Sequence, residues 1–152
     1  MTSCLTLNKH NELGPAFAYV YLLSPQGSVQ QNIGPMVPVK FNSHGKLASI
    51  AWPTRDELLF LRSSTYKIEF SLNYANNNNN AQVALFLNGV PMIGAFGVSS
   101  PLNSGISRLS GTYILKFNIN DRIKIVGIGQ PFTIKSAGIN DEIIATLTVS
   151  ET

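Results

Sequence analysis

Tyr66-Lys67-Ile68-Glu69-Phe70-Ser71-Leu72-Asn73-Tyr74 alternates apolar and polar residues without a break. A period of two is the signature of a β-strand with one buried and one wet face. The same pattern recurs on either side. Tyr113, Leu115, Phe117 and Ile119 alternate with Lys116, Asn118 and Asn120. Ile143, Ala145, Leu147 and Val149 alternate with Ile144, Thr146, Thr148 and Ser150. Ile123 and Ile125 flank Lys124, and Val37, Val39 and Phe41 form a shorter example. Gln82 to Leu87 is an apolar run that ends in Asn88-Gly89. That pair suits a tight type I′ hairpin, because both residues tolerate positive φ.

Helix signals are poor. Thr54 and Glu57 mimic a capping box, but Leu58 to Leu61 also fit a strand, and a strand feeding a turn at Ser63-Ser64 is the preferred reading. Turn residues recur at Ser24-Pro25-Gln26-Gly27, Ser43-His44-Gly45, Asn76 to Asn80, Ser99 to Gly105 and Gly127 to Pro131. Short strands with turns at this spacing predict an all-β fold, a two-sheet antiparallel jelly-roll sandwich. Residues 1–15 read as a mobile N-terminal segment and 16–150 as the jelly-roll domain.

The opening strand departs from simple alternation. Phe17, Tyr19, Tyr21 and Leu23 share one parity, and Ala16, Ala18, Val20 and Leu22 share the other. A strand apolar on both faces must be covered on both. A neighbouring subunit or a covering loop could supply the second cover.

Only 12% of the 152 residues are charged, against 44% apolar; ordinary soluble domains carry about 25% charged residues. A neutral polar surface fits a structural protein better than a cytosolic enzyme. The net charge of +3 is spread without a basic cluster, which argues against a nucleic-acid partner. No apolar run is long enough to span a membrane, and no secretory signal peptide is visible. The single cysteine, Cys4, has no intrachain partner, so it reads as a free thiol or a cross-link to another chain.

No catalytic constellation emerges. His10 and His44 lie far apart in polar contexts, no His pair sits at i, i+2 or i+4, and Cys4 lacks a second thiol, so no spacing suits a zinc site. Asp56-Glu57 and Asp141-Glu142 are adjacent pairs, which point to opposite faces of a strand. Asp121-Arg122 reads as a turn residue with a locally paired cation. No metal, no cofactor and no enzymatic activity are expected.

The strand order resembles a known superfamily. Its carriers are Phe17 to Leu23, Tyr66-Lys67-Ile68-Glu69-Phe70, Leu85-Phe86-Leu87-Asn88-Gly89-Val90-Pro91, Leu115 to Ile125 and the closing strand Ile143 to Val149. Together they are similar to the jelly-roll heads of the complement and tumour-necrosis-factor superfamily. The bacterial branch, in collagen-like spore-surface glycoproteins and exosporium basal-layer proteins of bacilli, is the nearer likeness. Two departures are the missing Gly-x-y stalk and Ser63-Ser64-Thr65 where a glycine usually precedes the Tyr strand. The missing stalk shifts the resemblance toward a stalkless, basal-layer type of protein.

The resemblance implies a homotrimer built through an apolar inner sheet, with Phe17, Tyr19 and Tyr21, or their opposite-parity neighbours on the same strand, at the trimer interface. It also implies a structural role in a spore-surface or cell-surface layer, with other spore-surface proteins as partners. The alternative is a carbohydrate- or receptor-binding module of lectin or phage-tip type, using Trp52 or the Asn76 to Asn80 loop. An enzyme of cupin type would need a His/Glu metal cluster that the sequence does not supply.

Overall fold

The computed structural model describes residues 14–75, 81–96, 98–103 and 105–152. In chain order the strands are β1 (Phe17–Ser24), β2 (Gln30–Ile33), β3 (Ser43–Ala48), β4 (Ile50–Thr54) and β5 (Glu57–Phe60). They continue with β6 (Ser64–Ala75), β7 (Val83–Leu87), β8 (Val90–Phe96) and β9 (Val98–Asn103). The last four are β10 (Ile106–Phe117), β11 (Arg122–Gly127), β12 (Phe132–Lys135) and β13 (Glu142–Glu151). A single 3-10 turn, Pro25–Gly27, follows β1, and no α-helix occurs among the described residues. The strands form two antiparallel sheets, the jelly-roll sandwich expected from the alternation.

The larger, eight-stranded sheet is organised around β6. One edge of β6 pairs along its whole length with β10, and β9 lies beyond. The other edge pairs first with β13 and then, at Tyr74, with β12. From β13 the sheet continues through β1 to β3, and from β12 to β2. The smaller sheet runs β4-β5-β11-β7-β8.

Tyr66, Ile68, Phe70, Leu72 and Tyr74 all point inward and are buried. Where the chain crosses between sheets, Phe60 stacks on Phe117 at a centroid distance of 4.5 Å and lies 4.6 Å from Tyr66. The Tyr66 hydroxyl donates to the Arg62 carbonyl at 2.6 Å, which satisfies the one polar atom of that cluster and closes the crossing. At β7–β8, Asn88 (φ 51°) and Gly89 (φ 86°) make the expected hairpin turn, with Leu87 opposite Val90.

Several boundaries differ from the alternation pattern. In β1 and β13, Leu22 pairs with Ala145 but Leu23 pairs with Ile143, so Ile144 is an extra residue in a β-bulge. The bulge reverses the parity expected there: Ile144 is 1% exposed and Ile143 is 43% exposed. Ser43-His44-Gly45 is not a turn but the start of β3, because β1 offers it a free edge to pair with. Ile119 lies past the end of β10 in an exposed turn. Residues 37–41 form no named strand; Pro38 makes an isolated bridge to Val126, with Val39 and Phe41 buried and Val37 exposed. Most of Ser99 to Gly105 belongs to β9, and the turn is confined to its end, where Gly105 has φ 78°.

Glu151 ties the two ends of the domain together. Its Oε1 accepts the Ala16 N–H at 2.8 Å and an Arg62 N–H at 2.9 Å. Arg62 also donates to the Gly14 carbonyl at 2.8 Å. The Ala16 N–H, then a Ser64 bond and the Arg62 charge, hold the Glu151 carboxyl below the ordinary glutamate range against an opposing desolvation.

Two predictions follow from the core and from this tie. Ile144→Ala should cost about 2–5 kcal/mol, as for other buried large-to-small changes, while Ile143→Ala should leave the denaturation midpoint almost unmoved. Equal effects would refute the bulge register. A carboxyl with a depressed folded-state pKa stabilises above its unfolded pKa and loses that contribution as pH falls through the folded one. Glu151→Gln should therefore cost about 1–2 kcal/mol at neutral pH. The gap between wild type and variant in urea melts should close at strongly acid pH.

Candidate functional site

Pairing with β13 fixes which face of β1 is which. Ala18 and Val20 are fully buried and Leu22 is nearly so, so this parity belongs to the core. Phe17, Tyr19 and Tyr21 therefore stand on the outer face of the large sheet, each half-buried. The Tyr19 and Tyr21 rings stack at 5.0 Å and 26°. Tyr19 lies against Gly45 of β3; a Cβ there would stand 3.0 Å from its ring, so the glycine makes room for it. Burial, with Tyr21 adding a smaller electrostatic push, raises the Tyr19 phenol above its ordinary pKa.

The register arranges this outer face in rows that run across β1, β13, β6 and β10. One row is Phe17, Ser150, Lys67 and Ile114. The next is Tyr19, Thr148, Glu69 and Thr112, and the third is Tyr21, Thr146, Ser71 and Ser110. An aromatic stripe thus borders a band of hydroxyls, and β10 lies on the far side. Ser71 and Thr146 share a hydrogen bond of 3.1 Å in the middle of the band. A shallow depression of about 370 Å³ opens over these hydroxyls, with Glu69 and Arg108 among its lining residues. Arg108 is held from beneath: its Nε donates to Asn73 Oδ1 at 3.2 Å, and Asn73 Nδ2 donates to Glu142 Oε2 at 3.3 Å.

The other residues singled out from sequence serve the fold. Asp56 meets Lys124 at 3.6 Å and Glu57 meets Arg122 at 2.7 Å. Asp121 accepts the Asn118 N–H at 2.8 Å and an Asn88 amide at 3.0 Å, bracing the turn. Arg122 pairs with Glu57, distant in sequence, rather than locally. Asp141 accepts the Gln26 N–H, and Glu142 accepts Ser136. Trp52 packs against the core, with the His44 ring edge-on at 5.6 Å. Cys4, His10 and the Asn76 to Asn80 run lie outside the described residues. Among the described residues, no group of three or more His, Cys, Asp or Glu could hold a metal ion, and no helix is long and apolar enough to cross a membrane.

Ile114 was missed by the sequence reading. It stands on the wet parity of β10, between Tyr113 and Leu115, and is 64% exposed. An isoleucine where alternation calls for a polar residue was the available signal.

No sequence-family model and no curated protein sequence matches the chain. Solved structures do resemble it in fold. Eiger TNF from S. frugiperda superposes with a TM-score of 0.67 at 8% identity, over 92% of this chain and 94% of that one. The globular domain of zebrafish complement 1qA protein gives 0.61 at 13% identity, over 91% and 97%. Murine APRIL gives 0.59 at 5% identity, over 91% and 100%. At these identities the likeness is one of fold, and the fold is the jelly roll of the tumour-necrosis-factor and complement globular domains.

Proposed function

We propose that this chain is a structural, self-assembling protein that forms homotrimers through the outer face of its large sheet. It serves in a spore-surface layer of exosporium or coat type, beside other spore-surface proteins. The observation that carries the reading is the aromatic stripe of Phe17, Tyr19 and Tyr21, placed on the outside of a sheet whose other face already fills the core. Burying apolar area is worth about 25 cal/mol per Å², and aromatic rings supply more of it per residue than any other side chain. Cyclic closure covers the stripe equally on every copy. The low content of charged side chains supports a surface that meets other protein rather than bulk solvent. The likeness of the strand and turn segments to basal-layer proteins of bacilli supports the choice of three copies and of a spore-surface layer.

Purified protein should sediment at three times the chain mass at micromolar concentration. Tyr19→Asp should give soluble monomers with nearly unchanged melting. Val20→Asp, which puts a charge into the core, should cost several kcal/mol and prevent folding. In a spore-former, a fluorescently tagged copy should form a peripheral ring around the spore. A wild-type protein that sediments as a compact monomer would sink the trimer, and a diffuse cytoplasmic signal would sink the spore-surface role.

A further inference from the structure

The depression of about 370 Å³ on the large sheet holds chemistry that neither the core nor the aromatic stripe uses. Its lining is dominated by small hydroxyl side chains: Ser71 on β6, Ser110 and Thr112 on β10, Thr146 and Thr148 on β13. Arg108 and Glu69 complete the polar lining from opposite ends. Arg108 pairs with Asn73, Ser110 with Ser71, and Thr112 with Glu69. The Arg108 and Glu69 rows are therefore two steps apart, about 14 Å between backbones.

Arg108 is exposed, yet it is oriented from beneath. Its Nε donates to Asn73 Oδ1 at 3.2 Å, and Asn73 is only 5% exposed. The Asn73 amide donates in turn to Glu142 Oε2 at 3.3 Å. Glu142 is itself held by the Ser136 hydroxyl at 2.9 Å and the Ala137 N–H at 3.2 Å. The Glu142 carboxylate thus anchors the scaffold instead of meeting the guanidinium. Arg108 is in no ion pair among the described residues. An arginine ordered before any anion arrives has already met part of the entropy cost of binding one. Its Nη1 and Nη2 remain as a planar fork, the geometry that fits a carboxylate through two parallel N–H···O bonds.

We infer that this depression is a binding site for a sugar acid. The carboxylate meets the Arg108 fork, and the ring hydroxyls lie along Ser71, Ser110 and Thr146. Serine and threonine hydroxyls both donate and accept, which complements a second set of hydroxyls. Glu69, with Lys67 at 3.8 Å on its own strand, only accepts. It suits the far hydroxyls of the ligand, and its charge rejects a second anionic group at that end. A bare inorganic oxyanion reaches Arg108 and leaves the band to water. A neutral sugar lacks the charged anchor. The site goes beyond the assembly proposed above and does not rest on it, because every contributing side chain belongs to one chain and lies on β6, β10 or β13.

The test is calorimetric titration of the full chain with glucuronate, glucose and inorganic sulfate at constant ionic strength. Tyr19→Asp is titrated beside wild type, so that the face is open in one sample whatever assembly covers it in the other. Glucuronate should bind at one site per chain, with glucose and sulfate each weaker by about tenfold or more. Arg108→Gln should weaken glucuronate by about tenfold and leave glucose unchanged. Arg108 is exposed, so circular dichroism and melting of that variant should match wild type. Thr146→Val, which keeps the shape and removes one hydroxyl, should weaken glucuronate and glucose alike. Equal affinity for glucuronate and glucose would overturn the site, as would undiminished glucuronate binding by Arg108→Gln or no binding by either wild type or Tyr19→Asp. Sulfate binding as tight as glucuronate would also overturn it, by showing a bare anion contact. Sedimentation of the same samples separates the two readings. A monomeric wild type that binds glucuronate sinks the trimer and leaves this site, and a trimer whose open form ignores glucuronate does the reverse.

Discussion

Phe60 of the small sheet stacks on Phe117 of the large one, and Tyr66 leans against Phe60 where the chain crosses between them. The rest of the sandwich depends on this contact. The Tyr66 hydroxyl bonds back to the Arg62 carbonyl, so the crossing from β5 to β6 is set where the aromatic rings meet. Arg62 in turn reaches Glu151 and Gly14, which fastens the first and last described strands to the same corner. With β6 anchored at that end, its alternation runs inward from Tyr66 to Tyr74. Strands β10 and β13 can then pair with it in a single register.

That register gives the outer face its meaning. Had β13 paired one residue out of step, every side chain on it would change face. The observed pairing sends Leu147 and Val149 into the core and leaves Thr146 and Thr148 outside, next to Tyr19 and Tyr21. The face is therefore neither uniformly apolar nor uniformly wet: aromatic rings lie at β1, hydroxyls in the middle and Ile114 at β10.

Much of this was legible in the residues. Strict alternation in Tyr66 to Tyr74, a doubly apolar opening strand and Asn88-Gly89 between apolar runs were enough for an all-β sandwich whose opening strand is apolar on both faces. The errors have one physical origin. Ile143 and Ile144 look alike as letters, and only the extra residue opposite Leu22 and Leu23 decides which one is buried. Ser43-His44-Gly45 has the composition of a turn, yet the open edge of β1 draws it into a strand. Gly111 gives a related case: the Tyr113 ring and Phe70 fill the space where its side chain would be, so a gap in the alternation is a packed position.

By itself the sequence determined the fold class and the existence of a second apolar face on the opening strand. Side-chain periodicity and turn propensity are local properties, carried by a few neighbouring residues. Only the tertiary structure decided that Phe17, Tyr19 and Tyr21 are the outward set and that Ala18, Val20 and Leu22 fill the core. Both parities are apolar in the sequence, and what separates them is the register of β1 against β13, residues more than a hundred positions apart. The same long-range pairing brought Ile114 into the row of Phe17, because the position of a residue on a sheet is set by its cross-strand partners rather than by its neighbours in the chain.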